Sequence, residues 1–273
     1  MLNKLLKHEF MATGRIMGVI YAVVALIMGY VLVAYYFNRD EASIGQMLGI
    51  SVLMIISMFM FVLTVVIMVT NFQKTLYGDQ GYLSFTLPVK SSMLLTSKVI
   101  TSTVWFIAAF ACFMGTMALT FFVVKEDVLG DSYETIESIL PMISEGKSFG
   151  TIVLYVVIQL ISVFIRFAMF TIEVYFAISL ANTRLFQKRY LLWTIVFSIG
   201  IIFISEKIAQ TIADKIEFMI AVTADKVSVI TDSILAPMDA MTIDITTVIV
   251  SVLIGIAFYY GTFWVMSKKV NIR

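Results

Sequence analysis

Apolar positions along this chain come in windows long enough to cross a bilayer, separated by short stretches that hold nearly all of the charge. Residues 16–37, 42–73, 99–124 and 190–205 carry no charged side chain, nor do 245–267, which belong to a span over 243–267. A helix needs about 20 apolar residues to cross a hydrocarbon core of about 30 Å. A further stretch, 148–183, is interrupted only by Arg166 and Glu173. No Gly lies between Thr151 and Ile199 and no Pro between Met142 and Ala236, so nothing turns it back and it reads as one helix. The pattern predicts an all-α polytopic membrane protein with six spans in a single transmembrane domain.

The windows differ in length. At 1.5 Å per residue the second and fourth reach about 48 and 54 Å, so both must tilt or project, and the fifth reaches only about 24 Å. After the fifth, residues 206–242 form an amphipathic segment. Ile208, Ile212, Ile216, Met219, Ile220, Val227, Ile230 and Ile234 recur at helical spacing opposite Lys207, Gln210, Asp214, Asp225 and Asp232. This predicts an amphipathic helix stopped at Ala236-Pro237 and capping the outer face. At the start of the chain, Leu2, Leu5, Leu6 and Phe10 make one apolar side against Asn3, Lys4 and Lys7, which predicts an interfacial helix over 1–13.

Charge sets the orientation. With both termini in the cytoplasm, the inner segments hold twelve Lys and Arg against Glu9 and Asp79, and the outer ones hold six against fifteen acids. Positive charge is retained on the cytoplasmic side of membrane proteins, so this asymmetry supports the span count and the orientation together. Composition agrees: 60% hydrophobic, 14% charged and a mean hydropathy of +0.99, where soluble domains carry about 25% charged residues. An ordinary soluble domain is excluded, and 22 Phe with 18 Met exclude a disordered chain. The first span is too long for the apolar part of a signal peptide and reads as a retained anchor. The single cysteine, Cys112, lies in the third span and forms no internal disulfide.

The connector 74–98 is the most informative polar stretch, because it is unusually apolar. Leu76, Tyr77, Tyr82, Leu83, Phe85, Leu87 and Val89 would meet water unless something covers them. Either the connector folds against its own bundle or it docks a cytoplasmic protein. Gly78 and Gly81 allow the backbone to reverse out of a helix, and Pro88 before Ser91 and Ser92 reads as a stop followed by a cap for the third helix.

Here the chain resembles a family. A basic amphipathic start, a long second span, the run Tyr77-Gly78-Asp79-Gln80-Gly81-Tyr82-Leu83-Ser84-Phe85-Thr86-Leu87-Pro88-Val89 and a Leu94-Leu95-Thr96-Ser97-Lys98 entry into the third span look like the permease subunit of type-2 ATP-binding-cassette exporters of Gram-positive bacteria. The resemblance implies a multi-pass protein of the bacterial cytoplasmic membrane that pairs with a second permease subunit, identical or paralogous. It also implies two cytosolic ATPase subunits, which would bind ATP and Mg; this chain would bind no cofactor and hydrolyse nothing itself. Leu76 to Val89 would be the coupling segment, with Tyr77, Gly78, Asp79, Gln80, Gly81, Tyr82 and Pro88 matching the motif and Leu83 and Phe85 beside them. The arginine usual after the Leu-Pro element is missing, and Lys90 is the nearest basic residue.

Other signals are weaker. Gly146-Lys147-Ser148 imitates the end of a phosphate loop, but Pro141 stands where the upstream glycine belongs. Gly14 with Gly18, and Gly45 with Gly49, have the spacing that lets helices approach closely. Arg166 and Glu173 are ionisable residues in an apolar helix, seven positions apart and so about 10.5 Å along the axis. They line a cavity, snorkel, or form a buried pair. His8 is the only histidine, which leaves no parts for a His-based metal site or a Ser-His nucleophile. No enzyme is expected, no metal and no nucleic-acid partner. The alternatives to an exporter of hydrophobic or amphipathic cargo are a sensor or immunity subunit that binds a cationic peptide, and an ion-coupled carrier.

Overall fold

The computed structural model describes residues 2–37, 44–78, 81, 91–123, 149–216, 218–222, 227–230 and 241–268. Six helices dominate: α1 Leu2–Phe37, α2 Ile44–Leu76, α3 Ser91–Val123, α4 Phe149–Ala181, α5 Tyr190–Ile216 and α6 Ile245–Lys268. All six are long and apolar enough to cross a membrane, as a multi-pass protein requires. The stretch 149–181 is a single helix despite its two charges.

Three expectations are corrected. First, no break separates an interfacial helix from the first span: α1 runs 36 residues without interruption. Thr13, at the expected junction, donates its hydroxyl to the Glu9 carbonyl at 2.9 Å and keeps the turn closed. The amphipathic pattern itself is visible in burial, with Leu2, Leu5, Leu6 and Phe10 half-buried and Asn3, Lys4 and Lys7 exposed. Second, the connector ends sooner than the bounds 74–98: α3 begins at Ser91, where the Ser91-Ser92 signal puts its start, so Lys98 sits two turns inside the helix and is buried.

The third correction concerns the region after the fifth window. Helix α5 continues through the charged residues to Ile216, so it has 27 residues and is not short. The expected amphipathic helix stops there. Beyond it, β1 Met219–Val222, β2 Val227–Ile230 and β3 Met241–Asp244 form an antiparallel sheet in the order β2-β1-β3. Met219 pairs with Ile230 and with Asp244, and Val222 with Val227 and Met241. Valine and isoleucine crowd this stretch, and β-branched side chains suit a pleated surface better than a helix. The decisive partner, β3, comes from beyond Pro237, which no local periodicity reveals.

The chain divides into two compact units. The first comprises residues 1–71 and 104–140. Val24, Val31, Leu53, Met60, Ala109 and Leu119 form its buried core. Trp105 fastens α1 to α3: its indole N–H donates to the Thr13 hydroxyl at 2.9 Å, its ring stacks on Tyr21 at 5.8 Å, and its carbonyl accepts from the Tyr21 phenol at 3.1 Å. Glu9 accepts a hydrogen bond from the Asn71 amide at 3.2 Å, which ties the start of α1 to α2.

The second unit comprises residues 72–103 and 141–273, and is built on mutual packing of α4, α5 and α6. Two glycines of α6 allow close approach to α4. A Cβ at Gly255 would collide with Met169, and one at Gly261 would lie 2.8 Å from the Phe176 ring. The end of α5 is latched to the start of α6. Phe218 donates its N–H to the Thr246 hydroxyl at 2.8 Å, and its carbonyl accepts from the N–H groups of Ile245 and Thr246 at 3.2 Å. Asp244 caps α6 through the Thr247 N–H at 3.2 Å.

The glycine contacts give a direct test. Gly261→Leu overfills the α4–α6 contact, a change that costs about 1–3 kcal/mol in packed cores, and is expected to lower the melting temperature in mild detergent by several degrees. Gly18→Leu, where nothing lies within 4 Å, leaves it unchanged. Equal melting of both variants would refute the close approach.

Candidate functional site

The connector that the sequence marks out is bracketed by the last turn of α2 and the first turns of α3, and the second unit holds both. Helix α2 ends because Gly78 comes directly after its last turn. The Gly78 N–H reaches back to the Gln73 carbonyl at 3.0 Å, beside the Tyr77 N–H at 2.9 Å. A Cβ at position 78 would stand 3.0 Å from the Lys74 carbonyl oxygen, so the closing turn leaves little room for a side chain there. The Gly81 N–H bonds in turn to the Gly78 carbonyl at 2.8 Å. Asp79, Gln80, Tyr82, Leu83, Phe85 and Pro88 lie outside the described residues.

Leu76 and Tyr77 point inward and are buried. The Tyr77 phenol donates to the Ser179 hydroxyl at 2.7 Å, and burial pushes its pKa above the ordinary range, so it stays a donor. One turn back, the Gln73 amide donates to Asn182 Oδ1 at 3.1 Å, and Asn182 Nδ2 donates to Gln73 Oε1 at 3.3 Å. This reciprocal pair satisfies both amides against each other, and Asn182 also bonds the Ile178 carbonyl at 2.8 Å. Phe72 completes the contact by stacking on Tyr175 with centroids 3.8 Å apart and planes 10° from parallel. A stacked aromatic pair contributes about 0.5–1.5 kcal/mol beyond its buried area.

The start of α3 is held as firmly. Leu94, Leu95, Ser97 and Lys98, the motif residues at its entry, are buried, and Thr96 hydrogen-bonds Tyr259 of α6 at 2.9 Å. Tyr259 also donates to the Ser92 carbonyl at 3.2 Å. Farther along, Ser102 hydrogen-bonds the Tyr175 phenol of α4. Both flanks of the connector are therefore fixed to the end of α4, and one of them to α6 as well. Tyr175 joins the two flanks directly, since it touches Phe72 with its ring face and Ser102 with its hydroxyl.

The two intramembrane charges part company. Arg166 is exposed, whereas Glu173 is buried beside Ser205 and Glu206 of α5. Glu173 thus belongs to the α4–α5 contact and is no partner of Arg166. Among the described residues no group of three or more His, Cys, Asp or Glu converges on a possible metal position. What the site can do is mechanical: it couples the connector's ends to α4 and α6. Sequence reasoning missed Gln73, Asn182, Ser179 and Tyr175, because polar residues at helix ends look like ordinary boundary residues until their partners are known. Among glycines, a Cβ at Gly14 would lie 3.8 Å from the Trp105 ring and one at Gly49 3.2 Å from the Val31 side chain, while Gly255 and Gly261, spaced six apart, carry no small-xxx-small signal. Comparison with family models, with curated proteins and with solved structures finds no match for this chain.

The amide pair is open to a double-mutant cycle. Gln73→Ala and Asn182→Ala should each destabilise the protein in detergent unfolding, and the double variant should lose less than the sum, with a coupling of about 0.5–1.5 kcal/mol. Strict additivity would mean that the two side chains do not bond.

Proposed function

We propose that this chain is the permease subunit of an ATP-driven exporter of the type-2 ATP-binding-cassette kind. It works in the bacterial cytoplasmic membrane beside a second permease subunit and two cytosolic ATPase subunits, which hold ATP and Mg. The observation that carries the reading is the double anchorage of the connector, with α2 tied to α4 through Gln73, Tyr77 and Phe72, and α3 tied to α4 and α6 through Ser102, Thr96 and Ser92. A docking segment transmits force only if its ends are stiffly joined to the helices it must move.

In this mechanism the partner ATPases close on ATP and displace the connector, and α4 and α6 move with it through these contacts. Cargo of hydrophobic or amphipathic character, such as an antimicrobial peptide, a drug or a lipid-like molecule, is released outward. With Leu76 and Tyr77 turned into the protein, the contact with the ATPase falls to the apolar residues after Gly81, foremost Tyr82, Leu83 and Phe85. The convergence of the α2 end, the α3 start and the α4 end in one unit also supports the cytoplasmic placement that the Lys and Arg distribution assigns to them.

The test is a mild-detergent pull-down of tagged chain from its native membranes, alongside the double variant Tyr82→Asp/Phe85→Asp. A nucleotide-binding subunit should copurify with the wild type and fall at least about ten-fold with the variant, since two charges enter an apolar contact. Absence of any ATPase from the wild type, under conditions that keep other membrane complexes intact, overturns the exporter reading.

A further inference from the structure

A groove of about 660 Å³ runs between the ends of α5 and α6 nearest the sheet, lined by Ile208, Ile212 and Ile216 on one side and Ile249, Leu253 and Ile254 on the other. Among the described residues that line it, the one polar side chain, Thr246, has its hydroxyl engaged by both the N–H and the carbonyl of Phe218. None of these described residues offers a hydrogen bond to a ligand, so along them the occupant is hydrocarbon. That length is informative. Ile208 to Ile216 covers about 12 Å and Thr246 to Ala257 about 16 Å of helix, against about 15 Å for one leaflet of a 30 Å hydrocarbon core.

The ends of the groove differ. At the sheet end stands Lys215, exposed, next to Ile216 and three residues beyond Ile212. Asp244, the nearest acid on α6, is committed to capping Thr247. Asp214 leaves the helix about 100° from Lys215, on the polar side that also carries Lys207 and Gln210. Along its described residues the groove is therefore a leaflet-deep hydrocarbon slot, with the exposed Lys215 on the α5 turn at its sheet end. We infer that it holds one acyl chain of a membrane phospholipid whose phosphate rests on Lys215. This rests on the reading that α5 and α6 cross a bilayer.

The experiment has two parts. Washed membranes are first extracted with alkaline carbonate; release of the chain into the soluble fraction would remove the membrane reading, and this inference with it. With the chain retained, delipidated protein in mild detergent is titrated with phosphatidylglycerol and observed by native mass spectrometry. The wild type should take up one lipid saturably. Leu253→Trp, which fills the slot from an exposed position, should weaken that uptake at least ten-fold, and Lys215→Glu several-fold. Ile199→Trp, exposed on α5 outside the groove, should bind as the wild type does. Unchanged uptake by Leu253→Trp, or an equal loss with Ile199→Trp, overturns the assignment while leaving the membrane reading intact.

Discussion

A hydroxyl or amide placed among apolar helices has no water to fall back on, and most buried polar side chains among the described residues meet that constraint by bonding to a main-chain carbonyl or to one another, Thr101 and Thr194 being the exceptions. Two levels of pairing result. Most serines and threonines donate to a carbonyl three or four residues earlier in their own helix, as Thr13, Thr64 and Ser97 do. Such bonds neutralise a side chain without linking helices. Those that link helices are fewer, and in the second unit they gather where the connector begins and ends.

That gathering has a mechanical meaning. Interhelical hydrogen bonds in membrane proteins contribute only about 0.6 kcal/mol each on average, so no single tie makes a helix end rigid. Here several act on the same few turns. Gln73 and Tyr77 are one turn apart at the end of α2 and bond to Asn182 and Ser179, which are three residues apart at the end of α4. Tyr175, one turn farther back, takes the stack from Phe72. Three contacts on successive turns resist sliding and rotation together, which one contact cannot do. The same arithmetic explains why Leu76 and Tyr77, two of the apolar connector residues that would otherwise meet water, are better used inward: they complete a surface that faces α4.

The sequence disclosed the helices well and their ends poorly, for one physical reason. Hydrocarbon selects windows without charge, so charge-free runs locate spans. A helix, however, continues for as long as its backbone bonds close, and charged residues do not stop it. Helix α3 therefore starts at Ser91, and α5 runs through Glu206, Lys207 and Asp214 to Ile216. Gly78 was legible as a terminator because its role is local. The sheet was not, since β1 depends on β3, some twenty residues distant. The site was half legible: the connector stood out by composition, but the residues that mount it, Asn182 and Ser179 above all, are identified by partners about one hundred positions away.

At the sheet end of α5, a charged stretch of helix packs beside an apolar one. The Phe218–Thr246 latch sets Ile216 level with the start of α6, so the turns bearing Glu206, Lys207, Gln210 and Asp214 stand alongside the half of α6 nearest the sheet. That half of α6 exposes Ile249, Leu253 and Ile256. One side of the pair is thus hydrocarbon and the other carries charge at the same depth. An ionised side chain facing the bilayer centre costs about 2.5–3.5 kcal/mol even on lenient scales, and this stripe holds several. The two sides cannot both meet lipid. The charged stripe requires water or another protein surface, and the buried Glu173, beside Ser205 at the end of that stripe, extends the polar track into the α4–α5 contact.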